Sequence, residues 1–261
     1  MVPVSEDHID RQSVLFMNLF RRGNMIQRHS IVLWRKPEKE DRSFEEISKE
    51  AFEVMDLFQS YPQELRPNYL PAWRKEDVKE FEWNYDNFRE LLKNGVSKEG
   101  DRVFLDLGYS IYLFSSLDDE KAGSIWLDTG ITSDKFVNSL IVDLPVSYNL
   151  YQKETADMIS GLFVKLVQIY KPFFGCISNS VLSRKYGKYL EGNLPTSVHW
   201  MNYWTEDIIH AVGMDKIQNL VDNNPTVSFE NGILSIRDTA LDVENEDDMR
   251  YHESLQNQLF M

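Results

Sequence analysis

The alternation of apolar and polar positions divides the chain into short strands and amphipathic helices. Ser30-Ile31-Val32-Leu33-Trp34 is an apolar run closed by Pro37 and predicts a strand. Ser43-Phe44-Glu45-Glu46 spells a capping box, in which the serine hydroxyl accepts from the third helical amide and Glu46 reaches back. Phe44, Ile47, Ala51, Met55 and Phe58 follow at three- and four-residue spacing, so a helix is predicted that stops where Tyr61 precedes Pro62. Pro67 and Pro71 exclude a helix interior or central strand between Leu65 and Trp73, which reads as a loop carrying Tyr69 and Trp73. A second helix is expected from Tyr85 to Lys93, with Gly95 just past its end.

The middle of the chain is dense in β-branched and aromatic residues. Val103–Leu107 and Tyr109–Ser115 read as strand, with Gly108 between them marking a bulge or bend. Asp118-Asp119-Glu120 is a turn, Ser124–Leu127 returns, and Phe136–Leu144 supplies another strand; adjacency makes antiparallel pairing the default. A long helix from about Gln152 to Tyr170 carries an apolar stripe through Met158, Ile159, Leu162, Phe163, Leu166 and Ile169, and Pro172 stops it. Phe173–Ile177 and Ser197–Tyr203 read as strands. Thr205 is placed to cap a short helix ended by Gly213, and Asp215–Val221 gives further helix. Asn231-Gly232, between Thr226–Glu230 and Ile233–Ile236, is a strong hairpin signal.

These elements add up to a single α+β domain, a mainly antiparallel sheet packed by one long helix and several shorter ones. Residues 1–28 read as an N-terminal extension whose Leu15, Phe16, Leu19 and Phe20 form one helical face. Residues 29–238 are the body, and 239–261 are an acidic C-terminal tail expected to be mobile. Trp34, Trp126, Trp200 and Tyr203 are assigned to the structural core. Period-two alternation through Ser197–Trp204 would put Trp200, Asn202 and Trp204 on one face and His199, Met201 and Tyr203 on the other. The competing reading of this aromatic run is an anchor for a protein partner, because Trp and Tyr dominate binding hot spots.

Charge changes the picture most. The chain has 42 Asp+Glu against 28 Lys+Arg, a net charge of -14, in 261 residues. A field of that sign disfavours direct contact with nucleic acid or anionic membranes and steers basic partners inward. No segment reaches the ~18 consecutive apolar residues of a membrane span. The N-terminus is acidic where a secretory signal needs Lys or Arg. A single cysteine, Cys176, fits a reducing compartment and reads as a buried structural thiol. The expected location is therefore cytoplasmic.

Recognisable reaction chemistry is absent from the linear sequence. Histidines 8, 29, 199, 210 and 252 lie at no metal-ligand spacing, and His199 beside aromatics reads as a satisfied packing residue. There is no Walker loop, G-x-G-x-x-G or G-x-S-x-G elbow. No catalytic residue, metal ligand or cofactor is assigned.

The order of features resembles bacterial polymorphic-toxin immunity proteins, specifically immunity protein family 52. It runs from an opening strand with Trp34 and a helix through the Pro67/Pro71 loop with Trp73, the central sheet and the long helix. The Trp200-Met201-Asn202-Tyr203 strand and the Asn231-Gly232 hairpin close it. The resemblance covers roughly Ser30 to Ile236. It implies a cytoplasmic, non-enzymatic antitoxin whose partner is a cognate secreted toxin domain, often a nuclease and so basic where it holds phosphate. Candidate contacts are the acidic turn Asp118, Asp119 and Glu120, with Tyr69 and Trp73 from the proline loop. Two other readings stand beside it: an acidic α+β binding module of another immunity fold, or an enzyme whose carboxylates converge only in three dimensions.

Overall fold

The computed structural model describes residues 27–38, 42–72 and 74–260. The proposed face of Leu15, Phe16, Leu19 and Phe20, and Trp73, lie outside them. In chain order the elements begin β1 His29–Arg35, α1 Phe44–Asp56, β2 Tyr69–Leu70, β3 Lys79–Glu80, α2 Tyr85–Asn94, β4 Lys98–Glu99 and β5 Arg102–Val103. The central part is β6 Tyr109–Phe114, β7 Ser124–Thr129, β8 Asn138–Asp143, α3 Lys153–Tyr170, β9 Phe174–Asn179, α4 Ser180–Tyr186, β10 Leu190–Glu191 and β11 Leu194–Pro195. The chain closes with β12 Met201–Trp204, α5 Glu206–Val212, α6 Met214–Asn223, β13 Ser228–Glu230, β14 Ile233–Ser235 and α7 Glu246–Phe260.

Ten strands form one sheet in the order β13-β14-β12-β9-β1-β8-β7-β6-β2-β3, and every pairing in it is antiparallel. The expected β6-β7-β8 meander is present. The strand that opens the described chain, β1, sits in the interior between β8 and β9, joining the meander to the β9-β12-β14 half. The fold is therefore α+β in a single domain.

Burial follows from which faces are covered. On one face Ile31, Leu33, Ile111, Leu113, Leu127 and Leu140 pack against the apolar stripes of α1, α2 and α3. On the opposite face Val32, Phe174, Cys176, Trp204 and Leu234 meet Ile208, Ile217, Leu220 and Leu255 of α5, α6 and α7. Helices thus lie on both faces of the β9 half, and all six β9 residues are buried. β6 and β7 instead alternate buried and half-buried side chains, as strands do when only one face joins the main core.

Local signals account for many boundaries. Ser43 and Glu46 make the reciprocal capping box on α1. Asn231 (φ 52°) and Gly232 (φ 79°) take successive left-handed conformations at the β13–β14 turn, the geometry that suits the twist of a two-residue hairpin.

Several expectations are corrected. Val103–Leu107 is not a strand: only Arg102–Val103 pairs, and Leu105–Leu107 is a 3-10 turn closed by Gly108 at φ 65°. A Cβ at Gly108 would sit 2.2 Å from the Thr129 carbonyl oxygen, so this break admits no larger side chain. The Ser197–Tyr203 strand begins only at Met201 and includes Trp204. Thr205 precedes α5 without making a side-chain cap. Residues 246–260 are not a mobile acidic tail. Glu246, Asp247 and Glu253 occupy the solvent side of α7, while His252, Leu255 and Leu259 are buried, because apolar residues recur at helical spacing beneath the charge.

Candidate interaction surfaces

The four residues assigned to the core separate. Trp200 is 4% exposed and packs in the α1–α3 cluster, with its indole Nε1 donating to the Arg237 carbonyl at 3.0 Å. Tyr203 is half-buried against the same cluster, and Trp34 is half-buried against the other one, its ring 5.4 Å from those of Phe174 and Tyr189. Trp126 is not in either cluster. It lies on the opposite face of β7 from Ile125 and Leu127, half-buried, with Tyr112 edge-on at 6.0 Å and its Nε1 donating to Asp128 at 2.8 Å. The largest fully buried side chain is Trp204, at 1% exposure. Trp200 precedes the strand and therefore escapes its alternation, so it and Trp204 fall into different clusters.

The acidic turn is built on a buried serine. Ser115 donates its backbone N–H to the Gly123 carbonyl at 2.9 Å; its hydroxyl accepts from Gly123 N at 2.8 Å and donates to the Glu64 carbonyl at 2.6 Å. Beyond it, Asp118 N donates to Ser116 Oγ, Glu120 N to Asp118 Oδ1, and Lys121 N to the Asp118 carbonyl, all at 3.0–3.1 Å. Ser147 N ties the Glu120 carbonyl to the next loop at 2.9 Å. Asp118, Asp119 and Glu120 are exposed on this scaffold, beside Leu117 at 41% exposure. Lys121 approaches Asp118 only at 3.9 Å, with both side chains more than half in solvent, so the turn keeps its negative sign. Tyr69 belongs to the same end of the sheet: it pairs with Phe114, and their rings stack at 5.5 Å.

A groove of about 1000 Å³ lies at the other end. Register fixes this separation: Ser124 and Ser30 pair with Asp143 near the turn, whereas Trp34 and Trp204 both pair with Phe174 beside the groove. Phe173, Tyr203, Trp204, Ile209 and Met214 give the groove an apolar lining. Its three wall segments are stitched by backbone bonds, Phe173 N to the Trp34 carbonyl at 2.7 Å and Thr205 N to the Phe173 carbonyl at 3.4 Å. Nothing in the sequence flagged this site, because its walls come from segments some 140 and 30 residues apart that only the sheet order brings together.

Buried titratable groups cluster where α7 meets the β12 approach. His252 Nε2 donates to the Val198 carbonyl at 2.8 Å, which fixes its tautomer, and Gln256 bonds both Val198 N and the Thr196 carbonyl. His199 is buried, as expected, but not satisfied: neither ring nitrogen has a hydrogen-bond partner, and burial pushes its pKa down to about 3. Cys176 is fully buried and burial drives its thiol pKa well up, so it is a packing residue. No group of three or more His, Cys, Asp or Glu among the described residues is placed to hold a metal ion. No helix among them is long and apolar enough to cross a membrane.

No family model matches the chain, and no curated protein matches it. Among solved structures the chain is similar in fold to the Pseudomonas aeruginosa T6SS protein PA0821, with a TM-score of 0.54 and 11% identity over 95% of this chain and 82% of that one.

Proposed function

We propose that this protein is an immunity protein that neutralises a cognate secreted toxin domain by binding it, without turnover of its own. The observation that carries the reading is the Ser115-anchored acidic turn: three carboxylates held outward on a rigid hairpin end, in a chain of net charge -14. Groups fixed before encounter lose little entropy on binding, and complementary potentials accelerate association with a basic surface. The fold similarity to a T6SS protein supports placing the chain with secretion-system-associated proteins, and the order of sequence features supports the immunity reading within that class.

The test uses the toxin domain encoded beside this chain's gene. Co-expression is expected to restore growth, and the purified pair to form a one-to-one complex whose on-rate falls steeply with salt, since exposed charges are screened over ~10 Å at 0.1 M. Replacing Asp118, Asp119 and Glu120 together by Lys is expected to slow association about tenfold or more while the off-rate changes less. Salt-independent association, or an unchanged rate in the triple variant, removes the turn from the interface. Absence of a complex, or divalent-metal-dependent cleavage of DNA or RNA by this protein alone, refutes the reading.

A further inference from the structure

We propose that the outer face of β6, β7 and β8, the side away from α1, α2 and α3, is the docking surface for a segment of the chain's own N-terminal extension, residues 14–22. The inference is independent of the immunity reading, which rests on the turn between β6 and β7.

Register builds the surface. Val32, Ile141, Trp126 and Tyr112 pair in succession across β1, β8, β7 and β6, so their side chains form one row on that face. Polar rows flank it: Ser30, Asp143 and Ser124 on one side, Ser139, Asp128 and Ser110 on the other. Ile141, Trp126 and Tyr112 are half-buried and belong to neither hydrophobic cluster, because α5, α6 and α7 pack over the β9 half. The row crosses three strand spacings, about 14 Å, as an apolar strip between polar borders. That shape suits the apolar stripe of one amphipathic segment lying across the strands.

Tether, composition and charge name the occupant. Arg28 leads into β1 at the edge of this face. The Tyr112 hydroxyl has a pKa raised chiefly by desolvation, and the charges of Asp143 and Arg28 both act on it. Phe20 stands eight residues before Arg28, a reach of up to ~27 Å, so Leu15, Phe16, Leu19 and Phe20 can cover the whole row. The strands β6, β7 and β8 contain no Lys, Arg or His and put Asp128 and Asp143 on this face. Residues 11–28 carry Arg11, Arg21, Arg22 and Arg28 and no Asp or Glu, in a chain of net charge -14. An apolar strip bordered by carboxylates is thus matched by a tethered apolar run bordered by arginines.

A basic segment of another molecule is the competing occupant, and the experiment separates the two. The full chain carrying Asn18→Cys takes a nitroxide at that position alone, since Cys176 is fully buried with its thiol pKa driven up. Tryptophan indoles are labelled with ¹⁵N, and the Trp126 signal is assigned by its loss in Trp126→Phe. Trp204 lies four strands away in the sheet order, about 19 Å. Paramagnetic broadening is expected to be about tenfold stronger at Trp126 than at Trp204. A mixture of spin-labelled chain without ¹⁵N and ¹⁵N chain without spin label is expected to show none. Phe16→Asp with Phe20→Asp is expected to abolish the broadening and to speed exchange of the Trp126 indole proton about tenfold, with cooperative unfolding retained. Broadening at Trp126 no stronger than at Trp204, broadening in the mixture, or unchanged broadening and exchange in the double variant each overturn the proposal.

Discussion

Two tryptophans one might exchange on paper do different work. Trp204 is buried at the junction of β12 with α5, against Phe174, Ile208 and Leu234, so Trp204→Ala removes a large packed ring and is expected to cost about 3–5 kcal/mol. Trp126 is half-buried beside Tyr112 and hydrogen-bonded to Asp128, outside both clusters, so Trp126→Ala is expected to cost less than half as much. Urea midpoints of the two variants check this, and equal losses would contradict the assignment. The sequence could not rank them. Both sit in strand-like runs with aromatic neighbours, and which face of a ten-stranded sheet receives a second layer of helices is decided by elements distant in the chain.

At the scale of elements, α7 was the piece hidden from the sequence. Its acidic first turn, Glu246, Asp247 and Asp248, imitates a solvated tail, yet Leu255 and Leu259 complete the second cluster. Side chains of His252 and Gln256 also take the place of a neighbouring strand for residues 196–198, bonding Thr196 O, Val198 N and Val198 O. Gln256→Ala strands two of those backbone groups in a buried setting, so it is expected to destabilise by roughly 2–4 kcal/mol and to speed amide exchange at Val198 selectively. Uniform exchange with unchanged stability would show that α7 is dispensable. By contrast, α1, α3 and the β13–β14 hairpin were legible, since a capping box, an apolar stripe at helical spacing and Asn-Gly act within a few residues. The candidate surfaces divide in the same way: the acidic turn is a local feature, whereas the groove exists only after β1 inserts between β8 and β9.

For the whole molecule, the desolvated histidines, His199 and His252 buried and His29 half-buried, set how stability responds to acid. His29 and His199 have pKa values lowered to about 4 and about 3, and that of His252 is lowered as well, in each case chiefly by desolvation of the charged form. The folded state therefore binds these protons later than the unfolded chain does. Their contribution is complete above the unfolded value near 6.5 and is lost as pH falls from there toward 4, by up to roughly 3 kcal/mol for each of His29 and His199. The exposed carboxylates with lowered pKa values, Glu45, Glu46 and Glu253, act in the same direction but only once the pH falls below the ordinary glutamate range. Between pH 6.5 and 5 the fall belongs to the histidines, and it runs against the relief of self-repulsion expected as a chain of net charge -14 takes up protons. Urea unfolding at pH 7.5, 6 and 5 is expected to show a falling midpoint, and His199→Leu, which also removes two unpartnered ring nitrogens, is expected to flatten that slope. A midpoint that holds steady or rises on acidification would mean that charge repulsion, and not histidine burial, governs the acid limb.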